Sequence, residues 1–149
     1  VSTHVNRSFR GSCRGRLSLL RRNYIRMGMN SVKAVSKYLL ALFMITAGIM
    51  HFVNPGFFLK IMPPWLPLHK ELVLVSGVFE VLLGVLLLVP RFSRKAAWGI
   101  VALLIAVFPA NIYLYQNQHI LPASPVVHLL RLPLQGLFIL WAWWHTRSP

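Results

Sequence analysis

Four stretches of almost unbroken apolar residues organise this chain: Val35 to Val53, Leu72 to Val89, Ala96 to Tyr115 and Val126 to Trp144. Each holds about 18 to 20 residues, and a helix of that length, rising 1.5 Å per residue, crosses a hydrocarbon core of roughly 30 Å. A helix in a water-soluble bundle carries one apolar and one charged face. The run from Val81 to Val89, VLLGVLLLV, is apolar on every side, the pattern of a helix surrounded by lipid or protein. The pattern predicts an all-α fold, a four-helix transmembrane bundle.

The links set an orientation. Lys33 and Lys37 precede or open span one, Arg91, Arg94 and Lys95 fill the link between spans two and three, and Arg147 follows span four. The link from Gln116 to Pro125 has neither Lys nor Arg. Cations accumulate on the cytoplasmic side, so both ends are expected inside (N-in, C-in) in the cell membrane; Lys60 and Lys70, in the first outer link, run against that trend. This first link, NPGFFLKIMPPWLPLHK, is Pro-rich and too apolar for an ordinary aqueous loop. Asn54, Pro55 and Gly56 turn the chain out of span one, and Pro63, Pro64 and Pro67 stop a continuing helix. Phe57, Phe58, Ile61, Met62 and Trp65 are placed in the outer interface, as a lid or a short interfacial helix.

Composition agrees. Of 149 residues, 56% are apolar and 12% charged, against the roughly 25 to 35% charged residues of a soluble surface. The net charge of +14 raises nucleic-acid binding as a function, but seven cations precede residue 27 and the others, apart from Arg131, flank apolar runs. That layout belongs to a membrane-anchored chain, so no nucleic-acid partner is expected. Cys13 is the only cysteine, which excludes an intrachain disulfide and a cysteine metal site. Residues 1–26 are rich in Arg and Ser, and their apolar patch, Leu17 to Leu20, is too short for a secretory signal. With Met27 and Met29 close by, residues 1–28 are expected to be a disordered basic tail or sequence ahead of the true start, and residues 29–149 the membrane domain.

Polar groups within spans are costly and mark sites or fastenings. Span two places Ser76, Gly77, Glu80 and Gly84 on one face, span four places His128, Arg131 and Gln135 on another, and span one ends with Ala47, Gly48 and His51; small residues on such stripes permit close helix contact. With the outer ends of the spans level, Glu80 and Arg131 differ by roughly 5 Å along the axis. A buried Glu80 to Arg131 ion pair is therefore expected, with His51, His128 and Gln135 nearby. Three roles stay open for this group: a register fastening, a quinone, ligand or proton site, and a subunit interface. Asn111 lies off the small-residue stripe Gly99, Ala102 and Ala106, and needs a kink at Pro109 to turn inward or else satisfies a carbonyl that the proline frees. No HxxxH or ExxH spacing is present, so no metal site is expected. Trp141, Trp143, Trp144 and His145 read as an inner aromatic belt.

The segments AGIMHFVNPGFFLKIMPPWLP, SGVFEVLLGVLLLVPRFSRKAAWGI, FPANIY and HLLRLPLQ together resemble the DoxX family of small four-helix membrane proteins, over about residues 35 to 144. The family's pattern falls on His51, Phe52 and Pro55, on Gly77, Glu80 and Arg91, on Asn111, and on Arg131, Pro133 and Gln135. The resemblance implies an accessory subunit of a quinone-linked membrane oxidoreductase complex, with a membrane or peripheral oxidoreductase as partner and quinone as cofactor, rather than a stand-alone enzyme. The polar group His51, Glu80, Asn111, His128, Arg131 and Gln135 is then the candidate intramembrane site. A non-catalytic scaffold or assembly factor is the alternative from another class. A small-solute transporter is a third, which no internal repeat supports.

Overall fold

The structure is a computed structural model that describes residues 31–121 and 124–147. Among these residues every regular element is helical: α1 Ser31–Val53, α2 Pro55–Lys60, α3 His69–Leu88, α4 Ser93–Gln116, a 3-10 turn Gln118–Ile120, and α5 Pro125–Thr146. The tail expected over residues 1–28 lies outside the described residues. Residues 31–36 form the opening turns of α1, and packing is described within the compact unit Lys37–Pro149. Helices α1, α3, α4 and α5 are each long and apolar enough to cross a membrane. They extend the expected spans by one to a few polar residues at most ends, because a helix continues past the hydrocarbon edge until its caps or a proline stop it.

Local sequence explains the breaks. The side chain of Asn54 accepts from the Phe57 amide and Pro55 occupies the first turn of α2, where a missing N–H costs nothing. The apolar first link is thus partly a six-residue helix. Pro63, Pro64 and Pro67 keep the following residues out of helix, and Leu68 takes a left-handed φ of 55° just before α3. Pro125 starts α5. Pro109 lies inside α4, where it cannot donate to the Ile105 carbonyl.

Glycines bring α1 onto α3. A Cβ at Gly48 would stand 2.7 Å from the Gly77 carbonyl oxygen, and one at Gly84 3.1 Å from that of Ala41, so the two backbones touch where a side chain would separate them. Leu83 of α3 fills the space over Gly99 of α4, and Phe43 of α1 stacks on Phe138 of α5 at 4.6 Å. The buried apolar core comprises Leu40, Ala41 and Met44 of α1, Leu87 of α3, Ala96 to Leu104 on one face of α4, and Ala142 of α5. It occupies the half of the bundle toward the α3–α4 turn. Large apolar residues on the outside, such as Leu42, Leu82, Ile105 and Leu137, are exposed, the surface expected of a bundle whose solvent is lipid.

Candidate functional site

Apart from His145 and Thr146 at the end of α5, the buried polar side chains gather away from the α3–α4 turn, in two groups. The first joins α1 to α3. Nδ1 of His51 is 2.8 Å from the Val73 carbonyl oxygen and 3.1 Å from Oγ of Ser76, and the Ser76 hydroxyl donates to the same carbonyl at 2.9 Å. A carbonyl only accepts, so Nδ1 carries a proton and Nε2 is the free nitrogen of a neutral ring. Nε2 lies 3.5 Å from Oε2 of Glu80. That oxygen is buried and has no hydrogen-bond partner among the described residues.

One further proton completes the pair, on Glu80 as a neutral carboxylic acid or on Nε2 as an imidazolium facing a carboxylate. Both arrangements have zero net charge. The pair therefore avoids the cost of an isolated charge at membrane depth and can change which atom holds the proton. The ring of Phe58, from α2, stacks on the imidazole at 3.7 Å, so the short first-link helix covers the site. Trp65 packs edge-on against Tyr113 of α4 at 5.6 Å, and the His69 ring nitrogen Nε2 bonds the Pro63 carbonyl at 2.9 Å. Together these contacts tie the first link down over the polar half.

The second group joins α4 to α5. Gln135 donates from Nε2 to the Leu104 carbonyl at 2.8 Å and accepts at Oε1 from Asn111 Nδ2 at 3.2 Å. Asn111 is thus turned inward, as Pro109 allows. The amide that reaches the backbone belongs to Gln135 rather than to Asn111, and it serves the carbonyl next to Ile105. His128, 1% exposed, has Nε2 3.3 Å from the Leu121 carbonyl and Nδ1 without a partner among the described residues.

The expected Glu80 to Arg131 ion pair is replaced by the Glu80 to His51 contact. Leu83 rests on Gly99, and Gln135 meets Leu104. Counting along the helices from those contacts sets Glu80 and Arg131 about six residues of rise apart, ~9 Å rather than ~5 Å. The outer ends of the helices are not level, because α3 begins ahead of its apolar run while the glycine contacts bring His51 alongside Val73 to Glu80. Arg131 is half-buried and pairs with no acid among the described residues.

A family model described as a domain of unknown function, DUF8561, matches residues 40–146. The chain belongs to the DUF8561 family. No curated protein and no solved structure matches it. The DUF8561 segment begins at the first core residue of α1, Leu40, ends with α5, and includes every member of both polar groups.

Of the residues singled out from the DUF8561 sequence, His51 and Glu80 come together, as do Asn111 and Gln135, while His128 and Arg131 join neither contact. Sequence reasoning placed Phe58 at the membrane interface and gave Ser76 only a packing role. Phe58 follows His51 by seven residues, two turns of near-helical chain, and Ser76 lies one turn from Glu80; those spacings were the available signal. Among the described residues no group of three metal-ligating side chains gathers. The chemistry that the DUF8561 site offers is a single transferable proton and hydrogen bonds, presented beneath an aromatic ring.

Proposed function

We propose that this chain acts as an accessory subunit of a quinone-linked oxidoreductase complex in the cell membrane, with both chain termini on the cytoplasmic side. The His51 to Glu80 pair holds one proton beside a quinone head group. The observation that carries this reading is the orphaned Oε2 of Glu80 opposite His51 Nε2: with the pair's one proton on Glu80, the carboxyl is a hydrogen-bond donor for a quinone carbonyl, and with the proton on His51 it is not. The Phe58 ring stacked on His51 closes the pair under an apolar aromatic cover that a flat quinone ring can take the place of. The resemblance to the DoxX family adds support from the sequence, and the cations at the α3–α4 turn support the cytoplasmic placement. The test is extraction from native membranes in a mild detergent, followed by measurement of bound quinone and of co-purifying oxidoreductase subunits. Wild-type protein is expected to retain quinone and Glu80→Leu to lose it. Repeated preparations holding neither quinone nor an oxidoreductase would refute the reading.

A scaffold or assembly role has its own support in the Gly48 to Gly77 backbone contact and the bridge from Asn111 through Gln135 to Leu104, which fasten helix pairs without offering a free group. On that reading Glu80→Gln lowers the amount of folded protein in the membrane before it changes any partner's activity. Solute passage is disfavoured by position: below the polar half lies the apolar core around Leu40, Leu87 and Ile100, which offers a solute no polar path.

A further inference from the structure

The sequence contains two acids, Glu71 and Glu80. Glu80 faces His51, and Glu71 is exposed in the first turn of α3. Arg131, seventh residue of α5, is therefore a cation at membrane depth for which the described residues provide no anion. A guanidinium is always charged and presents a planar fork of donors suited to oxyanions. Such a group inside a span is retained beside a partner, and the described residues supply none of opposite charge.

The surroundings say what kind. His128 and Gln135, one turn to either side on the same stripe, are 1% and 8% exposed, whereas Arg131 is half-open, so of the three only Arg131 reaches the bundle surface. The adjoining residues Leu130, Leu134 and Leu137 are exposed and line the approach with apolar surface. Helical side chains lean toward the N-terminal end, which aims the guanidinium at the end of α5 where a headgroup region begins, ~9 Å away by helical rise. Nδ1 of His128 lies next along the stripe. Because Nε2 is the atom beside the Leu121 carbonyl, Nδ1 is left as an acceptor with no donor among the described residues.

We propose that Arg131 forms an anion site for the acid headgroup of a membrane amphiphile, a carboxylate or phosphate oxyanion whose apolar tail runs along Leu130, Leu134 and Leu137. The oxyanion pairs with the Arg131 fork; His128 Nδ1 is buried and lies beneath the site rather than in it. This site is separate from the His51 to Glu80 pair and independent of a quinone role for that pair.

The experiment is thermal melting of the full chain in a neutral maltoside detergent, titrated with dodecanoate, dodecyl phosphate, dodecanol and inorganic phosphate. Either acid amphiphile is expected to raise the melting temperature saturably, and dodecanol and inorganic phosphate not to. The stronger of the two acids identifies the headgroup. Arg131→Gln should weaken the acid response at least tenfold and Arg131→Lys about threefold. Lys60→Gln, which removes a cation elsewhere, should leave it intact. Equal responses in Arg131→Gln and wild type, or in Lys60→Gln and Arg131→Gln, overturn the proposal. So does cross-linking that finds a partner protein's acid at Arg131 while neither amphiphile binds. Should Arg131→Gln fail to fold, an Arg131→Lys response equal to wild type for both acids overturns it in the same way.

Discussion

Nε2 of His51 and Oε2 of Glu80 stand 3.5 Å apart across the α1–α3 contact, with Nδ1 of the same ring held by the Val73 carbonyl. Because one proton balances the pair, its members are unequal under mutation. Glu80→Gln keeps an N–H donor toward Nε2 and should shift unfolding free energy by no more than about 1 kcal/mol. His51→Phe leaves a carboxyl facing an apolar ring and should cost ~3 kcal/mol, while His51→Phe combined with Glu80→Leu should recover most of that loss. Denaturation in detergent, read by circular dichroism, gives the three values. A double variant no more stable than His51→Phe alone would show that the cost lies elsewhere.

The glycine contacts allow a prediction with an internal control. At Gly48 a methyl group would meet the Gly77 backbone oxygen at 2.7 Å, whereas at Gly136 nothing lies within 4 Å. Gly48→Ala must push α1 away from α3 and should cost ~1 to 3 kcal/mol. Gly136→Ala, in open space on α5, should stabilise by ~0.5 to 1 kcal/mol through helix propensity alone. Equal melting temperatures for the two variants would contradict the close approach.

The spans and the small-residue stripes were legible from the sequence because each is a property of one helix: an apolar run has a length, and Gly77, Glu80 and Gly84 share a face whatever packs on it. The partner of Glu80 was not legible. Pairing depends on the relative axial shift of helices, which is set by backbone contact at Gly48 and Gly77, by the Leu83 side chain over Gly99 and by how far α3 extends beyond its apolar run. An error of a few residues there is one helical turn, enough to exchange Arg131 for His51. Gln135 was found as polar, but its bond to Leu104 depends on the α4–α5 register and carries no sequence signature.

The Asn111, Gln135 and Leu104 bridge should show strong coupling. Gln135→Leu strands the Asn111 amide and removes the donor to the Leu104 carbonyl, for an expected loss of ~2 kcal/mol. With Asn111→Leu already made, the same Gln135 change removes one bond fewer and should cost ~1 kcal/mol less. A double-mutant cycle on thermal unfolding measures the difference, and strictly additive losses would show that the two amides act separately.

The first-link helix offers the last test, one of access rather than stability. Phe58 covers the His51 ring at 3.7 Å, and His51 is buried at 7% exposure, so a reagent that attacks neutral imidazole must displace the phenyl ring first. Phe58→Ala removes that cover while leaving the Val73, Ser76 and Glu80 contacts of His51 in place. Diethyl pyrocarbonate labelling, quantified by peptide mass spectrometry, should then accelerate severalfold at His51 and remain unchanged at His119, which is exposed in the 3-10 turn between α4 and α5. Phe58→Leu, which keeps an apolar cover, should fall between the two. If His51 in wild-type protein already labels as fast as His119, the first link is open over the site, and Phe58 cannot be what controls entry to the His51 to Glu80 pair.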